Sequence, residues 1–294
     1  MNLKGLGVAM VTPFKPNGDV NFKDLENLTE DLVQDGADFL VVMGTTGEAA
    51  TLSSKEKSEV LQTVISVNAS RIPVIYGIGG NNTKAVCDEL ENFNPAGVTA
   101  ILSASPSYNK PTQEGIFQHY KMLGESSPLP IILYNVPGRT ASNVEAKTCL
   151  RIANEVSAVE AVKEASGDLN QIRQIIEGAP EGFSVFSGDD ALTVPVIKAG
   201  GAGIISVVGN ALAAPFSELT NGALSGSFNE IKLLETKFQT LIPLLFKEGN
   251  PAGIKALMEL SQKCSDNVRL PLVSASVNLK EELRKASVEL LELV

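Results

Sequence analysis

The sequence has one histidine and three cysteines in 294 residues, which excludes several kinds of site. Cys87, Cys149 and Cys264 are odd in number, far apart and outside any CxxC spacing, so they indicate neither a disulfide framework nor a zinc site. We expect buried packing cysteines in a reducing compartment. His119 lies in the helical pattern EGIFQHYKML and is interpreted as a helix-surface residue. Because one histidine cannot build a histidine-rich site, no metal is expected.

Basic runs and long apolar runs are also missing. The formal net charge is -10, and no basic run is available to meet phosphates, so we expect no nucleic-acid or membrane-surface partner. No apolar run reaches transmembrane length, and the opening MNLKGLGVAMVTPF lacks the pattern of a secretory signal. The sequence therefore predicts a cytoplasmic protein. Because the net charge is negative, any anionic substrate needs locally placed cations.

The chain does contain eight short, β-rich apolar runs with room for a helix after each. They are GVAMVT, FLVVMG, IPVIYGIG, VTAILSAS, PIILYNV, VEAVKEA, FSVFSGD and GIISVVG. Their continuous apolar character is typical of parallel strands covered on both faces. Eight such units in this length favour an α/β protein with a closed (β/α)8 TIM barrel over an open doubly wound sheet. The nucleotide-binding motifs GxGxxG and GxxxxGK[ST] are absent.

Capping residues mark the starts of several predicted helices. They are Asn21, Ser53 with Glu56, Ser142 with Glu145, and Asp168 with Gln171. After the eighth strand the pattern changes to consecutive helices, the first preceded by a predicted capping box, SFNE, at residues 227–230. Helices of this size lack a core of their own, so they must pack on the barrel or on another subunit. We predict a barrel over residues 1–226 and a C-terminal helical extension over residues 227–294.

Lys163 lies inside an apolar run that predicts a buried strand. Burial disfavours the ammonium, and the free amine is the form that attacks a carbonyl. The pKa must fall by roughly 3 units to leave much amine at neutral pH. Lys163 is therefore a candidate Schiff-base nucleophile. The alternative is a lysine at the strand mouth, solvated or paired with Glu160 or Glu164, although strand alternation places both glutamates on the opposite face.

The predicted strand ends carry hydroxyl groups, one guanidinium and one amine. In a (β/α)8 barrel these carboxyl ends form the active site. Taken singly, each residue has a plain structural explanation, such as a turn, a rim aromatic or a surface cation. Their joint position favours a site. The residues are Thr45, Thr46, Tyr108, Tyr134, Arg139, Lys163, Ile205 and Ser206, with the SGDD stretch at residues 187–190.

Four motifs, GVAMVTPF, GTTGE, YNVPGRT and VKEASGD, occur in an order and spacing that resemble the dihydrodipicolinate synthase branch of the pyruvate-dependent class I aldolases. The resemblance covers essentially the whole chain. It implies a lyase that condenses pyruvate with L-aspartate 4-semialdehyde to 4-hydroxy-tetrahydrodipicolinate, in lysine and diaminopimelate biosynthesis. The chemistry needs an amine, a proton shuttle and carboxylate donors, and no cofactor is expected.

The resemblance also implies four catalytic residues. Lys163 forms the Schiff base with pyruvate, and Tyr134 moves protons at the reacting centre. Thr45 and Tyr108 complete a hydroxyl relay to solvent. In the family, the residue at Tyr108 reaches into a neighbouring subunit's site, which implies a homo-oligomer, a dimer or a tetramer.

Three further residues are implied to bind substrate. Thr46 and the backbone of Ile205 hold the pyruvate carboxylate and neighbouring atoms, and Arg139 binds the carboxylate of aspartate semialdehyde. Arginine suits this task because its planar fork binds both oxygens. Two alternatives remain: another pyruvate-dependent aldolase, acting on N-acetylneuraminate or a 2-keto-3-deoxy sugar acid, and a non-catalytic sugar-acid binding protein on the same fold.

Regulation by lysine is expected to be weak or absent. Lysine-inhibited relatives bind the amino acid with an asparagine, matched here by Asn81, a glutamate, replaced by Ala85, and an extra tyrosine, replaced by Ser107. Lys57 adds a like charge after GTTGE. A cationic ligand that loses its carboxylate partner and meets a lysine loses roughly 2 kcal/mol or more.

Overall fold

The computed structural model describes residues 3–293, and its eight parallel strands form a closed barrel in sequential order. This confirms the predicted TIM barrel. The strands are β1 Gly5–Ala9, β2 Phe39–Val42, β3 Val74–Gly77, β4 Ala100–Ala104, β5 Ile131–Asn135, β6 Val159–Glu164, β7 Ser184–Ser187 and β8 Gly203–Ser206. Most strand residues are buried, as expected for parallel strands covered on both faces.

Helices follow each strand and continue after the last one. They are α1 Phe22–Gln34, α2 Ser54–Asn68, α3 Thr83–Glu91, α4 Gln113–Ser126, α5 Pro137–Thr140, α6 Ala146–Glu155, α7 Leu169–Gly178, α8 Thr193–Lys198, α9 Gly209–Leu224, α10 Lys232–Phe246, α11 Ala252–Leu260 and α12 Val277–Leu291. Within residues 3–293, none is long and apolar enough to cross a membrane.

Residue contacts divide the chain into two compact units. The first unit contains Val74–Ile205, together with the described residues before Gly5, and the second contains Gly5–Pro73 and the chain from Ser206 onwards. In the first unit, β5 pairs with β6 so that Tyr134 lies opposite Lys163, and β6 pairs with β7 so that Lys163 lies opposite Phe186. This register brings candidate site residues together.

In the second unit, α9 packs against β1 and α1, and the C-terminal helices α10, α11 and α12 pack on α9 and on one another. The rings of Phe216 and Phe238 meet edge to face, with 4.8 Å between centroids. The apolar faces of the C-terminal helices are thus covered in part within the chain itself. The predicted division after residue 226 stays a prediction.

Three of the predicted helix starts are confirmed and two are wrong. Asn21, the Ser53–Glu56 capping box and Asp168 cap helices as expected. The helix predicted to begin at Ser142 begins instead after Glu145, because residues 142–144 run as a loop. The helix predicted after Ser227 begins at Lys232, after a turn, with no side-chain cap.

His119 is buried, with 3% of its surface exposed, so its interpretation as a surface residue is wrong. It lies three residues after Ile116 and four residues before Leu123, so the three side chains share one face of the helix. This face is buried. The Nδ1 of His119 lies 2.9 Å from the hydroxyl of Thr83. Burial lowers the pKa of His119 to about 4.

Candidate active site

Lys163 lies near the carboxyl end of β6, and its side chain is buried with only 4% exposed. Its Nζ lies 4.5 Å from the centre of the Tyr134 ring, which is also buried. The two residues are partners in the parallel pairing of β5 and β6. The strand register therefore places the candidate nucleophile against the candidate proton carrier.

The charge state of Lys163 is set by its surroundings. Desolvation lowers the pKa to about 8, Arg139 acts in the same direction, and the nearby charge of Asp190 opposes the fall. Asp190 is itself buried. A pKa near 8 leaves roughly a tenth of the lysine as free amine at pH 7, and more as the pH rises towards 8. The lowering of the pKa from 10.5 to about 8 is close to the change that the nucleophile hypothesis requires.

Gly188 makes room for the lysine side chain. A Cβ at this position would stand 3.1 Å from both Cγ and Cε of Lys163, and 2.7 Å from the Cβ of Ala165. A larger residue would clash with Ala165 and crowd the Lys163 side chain. The glycine of SGDD is thus explained by the close approach of Ala165 together with Lys163.

Arg139 and Tyr108 lie on neighbouring loops of the first unit. Arg139 is exposed in the short helix α5, at the carboxyl end of β5. The backbone N–H of Tyr108 donates to the carbonyl of Thr140 at 3.1 Å, which places the two loops side by side. The side chain of Tyr108 is 88% exposed, and its φ of 67° lies in the left-handed region. This chain therefore covers little of the Tyr108 phenol.

Thr45 and Thr46 follow β2 in the second unit, where Thr45 is exposed and Thr46 is buried. The Nδ2 of Asn250, in the α10–α11 loop, donates to the Thr46 hydroxyl at 3.0 Å. The same turn is held at Glu48, whose Oε1 lies 2.6 Å from the Nζ of Lys255 on α11. C-terminal residues therefore fix the turn that carries both threonines.

Ile205 is fully buried in β8. The sequence interpretation missed the charge of Asp190 beside Lys163, although SGDD was noted among the strand ends. It also missed Asn250 and Asn135, which contact residues far apart in sequence, and it considered Glu164 only as a partner of Lys163. Those contacts become visible only in three dimensions.

Comparisons with known proteins agree with the fold and with the motifs. The model of the dihydrodipicolinate synthetase family matches residues 2–289. A 4-hydroxy-tetrahydrodipicolinate synthase of Cytophaga hutchinsonii is 46% identical over 97% of this chain and 96% of its own length. One of Parabacteroides distasonis is 45% identical over 97% of this chain and 96% of its own.

Solved structures show the same likeness. A monomeric dihydrodipicolinate synthase variant superposes with a TM-score of 0.95 at 37% identity, covering 99% of this chain and 97% of that one. The chloride-inhibited dihydrodipicolinate synthase of Acinetobacter baumannii, complexed with pyruvate, superposes with a TM-score of 0.95 at 36% identity, covering 100% of both chains.

Proposed function

The chain belongs to the dihydrodipicolinate synthetase family, and on that premise we propose which of its residues carry out the reaction. The activity is that of a lyase, which condenses pyruvate with L-aspartate 4-semialdehyde to 4-hydroxy-tetrahydrodipicolinate in lysine and diaminopimelate biosynthesis. The observation that carries the assignment of residues is the buried amine of Lys163 beside Tyr134, with its pKa lowered to about 8.

Lys163 is the nucleophile. Its free amine attacks the keto carbon of pyruvate, and loss of water from the adduct gives an imine. Loss of a proton from the pyruvate methyl group then gives an enamine, whose methylene carbon attacks the aldehyde carbon of the second substrate. Burial serves the first step, because it holds the lysine partly unprotonated at the pH of a cell.

Tyr134 moves the protons of these steps. The contact of its ring with the Lys163 amine, and its register opposite Lys163, support this role. Tyr108 is proposed as the next hydroxyl of the relay. Because this chain leaves its phenol exposed, we propose a homo-oligomer in which a second copy covers it. The relay role of Thr45 and the carboxylate contacts of Thr46 and Ile205 stay predictions from the resemblance.

Arg139 binds the carboxylate of aspartate semialdehyde. Its side chain is exposed, and its charge acts on Lys163 by lowering the pKa of that residue. A planar cation on this side of the barrel can hold the carboxylate of an aldehyde whose other end meets the enamine. The cytoplasmic location and the number of subunits also stay proposals.

Trapping tests the assignment. Borohydride added with pyruvate should convert the imine to a stable secondary amine on Lys163, which peptide mass mapping locates. A parallel assay should compare aspartate semialdehyde with N-acetylmannosamine as the partner of pyruvate. An adduct on another lysine, or turnover without any adduct, removes Lys163 from the nucleophile's role. Preference for N-acetylmannosamine would indicate the sugar-acid aldolase activity instead.

A further inference from the structure

Buried polar side chains join β5 to β6 on the face of the sheet opposite the amine. Asn135 and Glu164 directly follow Tyr134 and Lys163, so strand alternation turns their side chains to the other face. Both are almost fully buried. They are register partners, and the Nδ2 of Asn135 donates to Oε2 of Glu164 at 2.9 Å. A hydrogen bond thus links the two strands one residue beyond the reacting pair.

Glu164 accepts two further hydrogen bonds. Gln171, on α7, donates to Oε2 at 3.1 Å, and the backbone N–H of Ser166 donates to Oε1 at 2.7 Å. Burial raises the pKa of the Glu164 carboxyl, and these hydrogen bonds act against the rise. The Ser166 side chain adds a hydrogen bond beside these contacts. The N–H contacts match an ionised carboxylate, which only accepts.

The network continues into the loop between α5 and α6. The backbone N–H of Val144 donates to Oδ1 of Asn135 at 2.9 Å, and Nδ2 of Asn143 donates to Oε1 of Gln171 at 2.8 Å. Asn135 and Glu164 therefore have partners for both ends of their side chains. A buried network whose groups are satisfied favours one arrangement of the strands over slightly shifted ones.

We propose that Glu164 is a positioning residue for imine formation: with Asn135, it holds the carboxyl ends of β5 and β6 in the register that keeps the Lys163 amine against Tyr134. The inference rests on the proposed role of Lys163 as nucleophile. Glu164 touches no reacting atom, since its side chain lies on the other face of the sheet. Its effect reaches the reaction through the backbone of residues 163 and 164 and through Asn135.

Glu164→Gln tests this with almost no change in side-chain size. An amide nitrogen at this position must face the N–H groups of Asn135, Gln171 or Ser166, and two donors cannot form a hydrogen bond. We expect the strand ends to shift and the rate constant of imine formation to fall about tenfold to a hundredfold, as for a small misplacement of a reacting group.

The experiment mixes each variant with pyruvate and quenches with borohydride after increasing times. The final amount of adduct counts competent sites, and the time course gives the rate constant for each competent site. Loss of stability alone lowers the first quantity and leaves the second unchanged. Gln113→Leu is the matched control. It removes the hydrogen bond that Gln113 donates to the carbonyl of Asn143 and the one that it accepts from the N–H of Glu145, in the same loop, without touching either strand.

Asn135→Asp gives a second comparison, because it sets two carboxylates against each other and also turns an acceptor towards the Oδ1 of Asn143, so it should slow the reaction as well. The proposal is overturned if E164Q or N135D keeps the wild-type rate constant, or if Q113L slows it equally. Wild-type protein that forms no adduct would instead contradict the role of Lys163.

Discussion

At the scale of single residues, the lowered pKa of Lys163 has a cost in stability. The folded state binds the proton with a pKa of about 8, while the unfolded chain binds it near the ordinary lysine value. Between those two pKa values the unfolded state holds more protons, so the free energy of unfolding rises with pH in that range. Below pH 8 the full loss of stability caused by the buried lysine is present. The proposed nucleophile therefore opposes folding at neutral pH.

Lys163→Met should consequently stabilise the protein at pH 7. The expected gain is about 3 kcal/mol at most, from roughly 1.4 kcal/mol for each unit of pKa, and it is reduced because Asp190 loses a nearby cation. Urea unfolding at pH 7 and at pH 10.5 measures it, and the gain should shrink at the higher pH. Lys121→Met, at an exposed lysine, is the control. A K163M protein less stable than wild type at pH 7 would contradict the burial argument.

Arg139→Gln should affect the two substrates unequally. It removes the cation proposed for the carboxylate of aspartate semialdehyde, so binding of that substrate should weaken by roughly 2–5 kcal/mol. Its KM should rise accordingly, while KM for pyruvate changes little. Because Arg139 helps to lower the pKa of Lys163, the pH profile of imine formation should also move to higher pH. Arg139→Lys should restore the pKa better than the KM, since a point charge lacks the planar fork. Equal losses for both substrates would oppose this role.

His119 makes stability depend on pH in the acid range. Its pKa is about 4 in the folded state and near 6.5 when unfolded, so the unfolded chain takes up the proton first as the pH falls. Between pH 7 and pH 5 this should remove about 2 kcal/mol. His119→Gln can still meet the Thr83 hydroxyl but does not titrate, so its free energy of unfolding should fall less over this range. Parallel pH dependence in both proteins would show that the histidine is not responsible.

At the scale of helices and strands, the sequence predicted what depends on local pattern. Eight strands were recognised because each is a continuous apolar run, and Asn21, Ser53 and Asp168 were recognised because a cap acts on its own helix. The helix predicted to begin at Ser142 was wrong because the loop that contains Ser142 is held outside the helix by other contacts. The N–H of Val144, two residues later, donates to the side chain of Asn135. A local capping pattern does not reveal such a contact.

The turn after β2 and the helix α11 are joined by a buried ion pair. Lys255 and Glu48 are both buried, and Lys255 also donates to the carbonyl of Asn267 at 2.8 Å. Lys255→Met leaves the Glu48 carboxylate buried without its ammonium partner, and should lower the free energy of unfolding by about 3–5 kcal/mol. Glu48→Gln combined with K255M should cost less than K255M alone, because no uncompensated charge remains. Chemical denaturation of the wild type, K255M and the double variant measures their free energies of unfolding. A double variant less stable than K255M would contradict the ion-pair explanation.

At the scale of the whole molecule, the barrel followed from counting β-α units, whereas much of the site did not. Lys163 stood out because a charge inside an apolar strand is unusual. Tyr134 and Arg139 stood out through motif and strand-end position. Asp190 did not, since an acidic residue after a strand is ordinary until its distance from the lysine is known. Asn250 lies more than 200 residues from Thr46, and no pattern in the sequence connects them.

Lysine should inhibit this protein weakly or not at all. Asn81, the one match to the asparagine of lysine-inhibited relatives, is already engaged: its Nδ2 donates to the carbonyl of Ser107 at 2.6 Å, and its Oδ1 accepts from the Ser107 N–H at 2.9 Å. An incoming ligand would have to break these bonds, and Ala85 offers no carboxylate for its ammonium. The resulting loss of roughly 2 kcal/mol corresponds to about thirtyfold in affinity.

Steady-state rates at increasing lysine concentration test this expectation, with Ala85→Glu as the informative variant. Restoring the carboxylate should increase inhibition by lysine, and the hydrogen bonds between Asn81 and Ser107 should keep the gain below the full thirtyfold. Ala85→Gln, which adds similar bulk without charge, separates electrostatic attraction from packing. Inhibition of the unmodified protein by submillimolar lysine would mean that other residues hold the ligand, since neither Asn81 nor position 85 is then limiting.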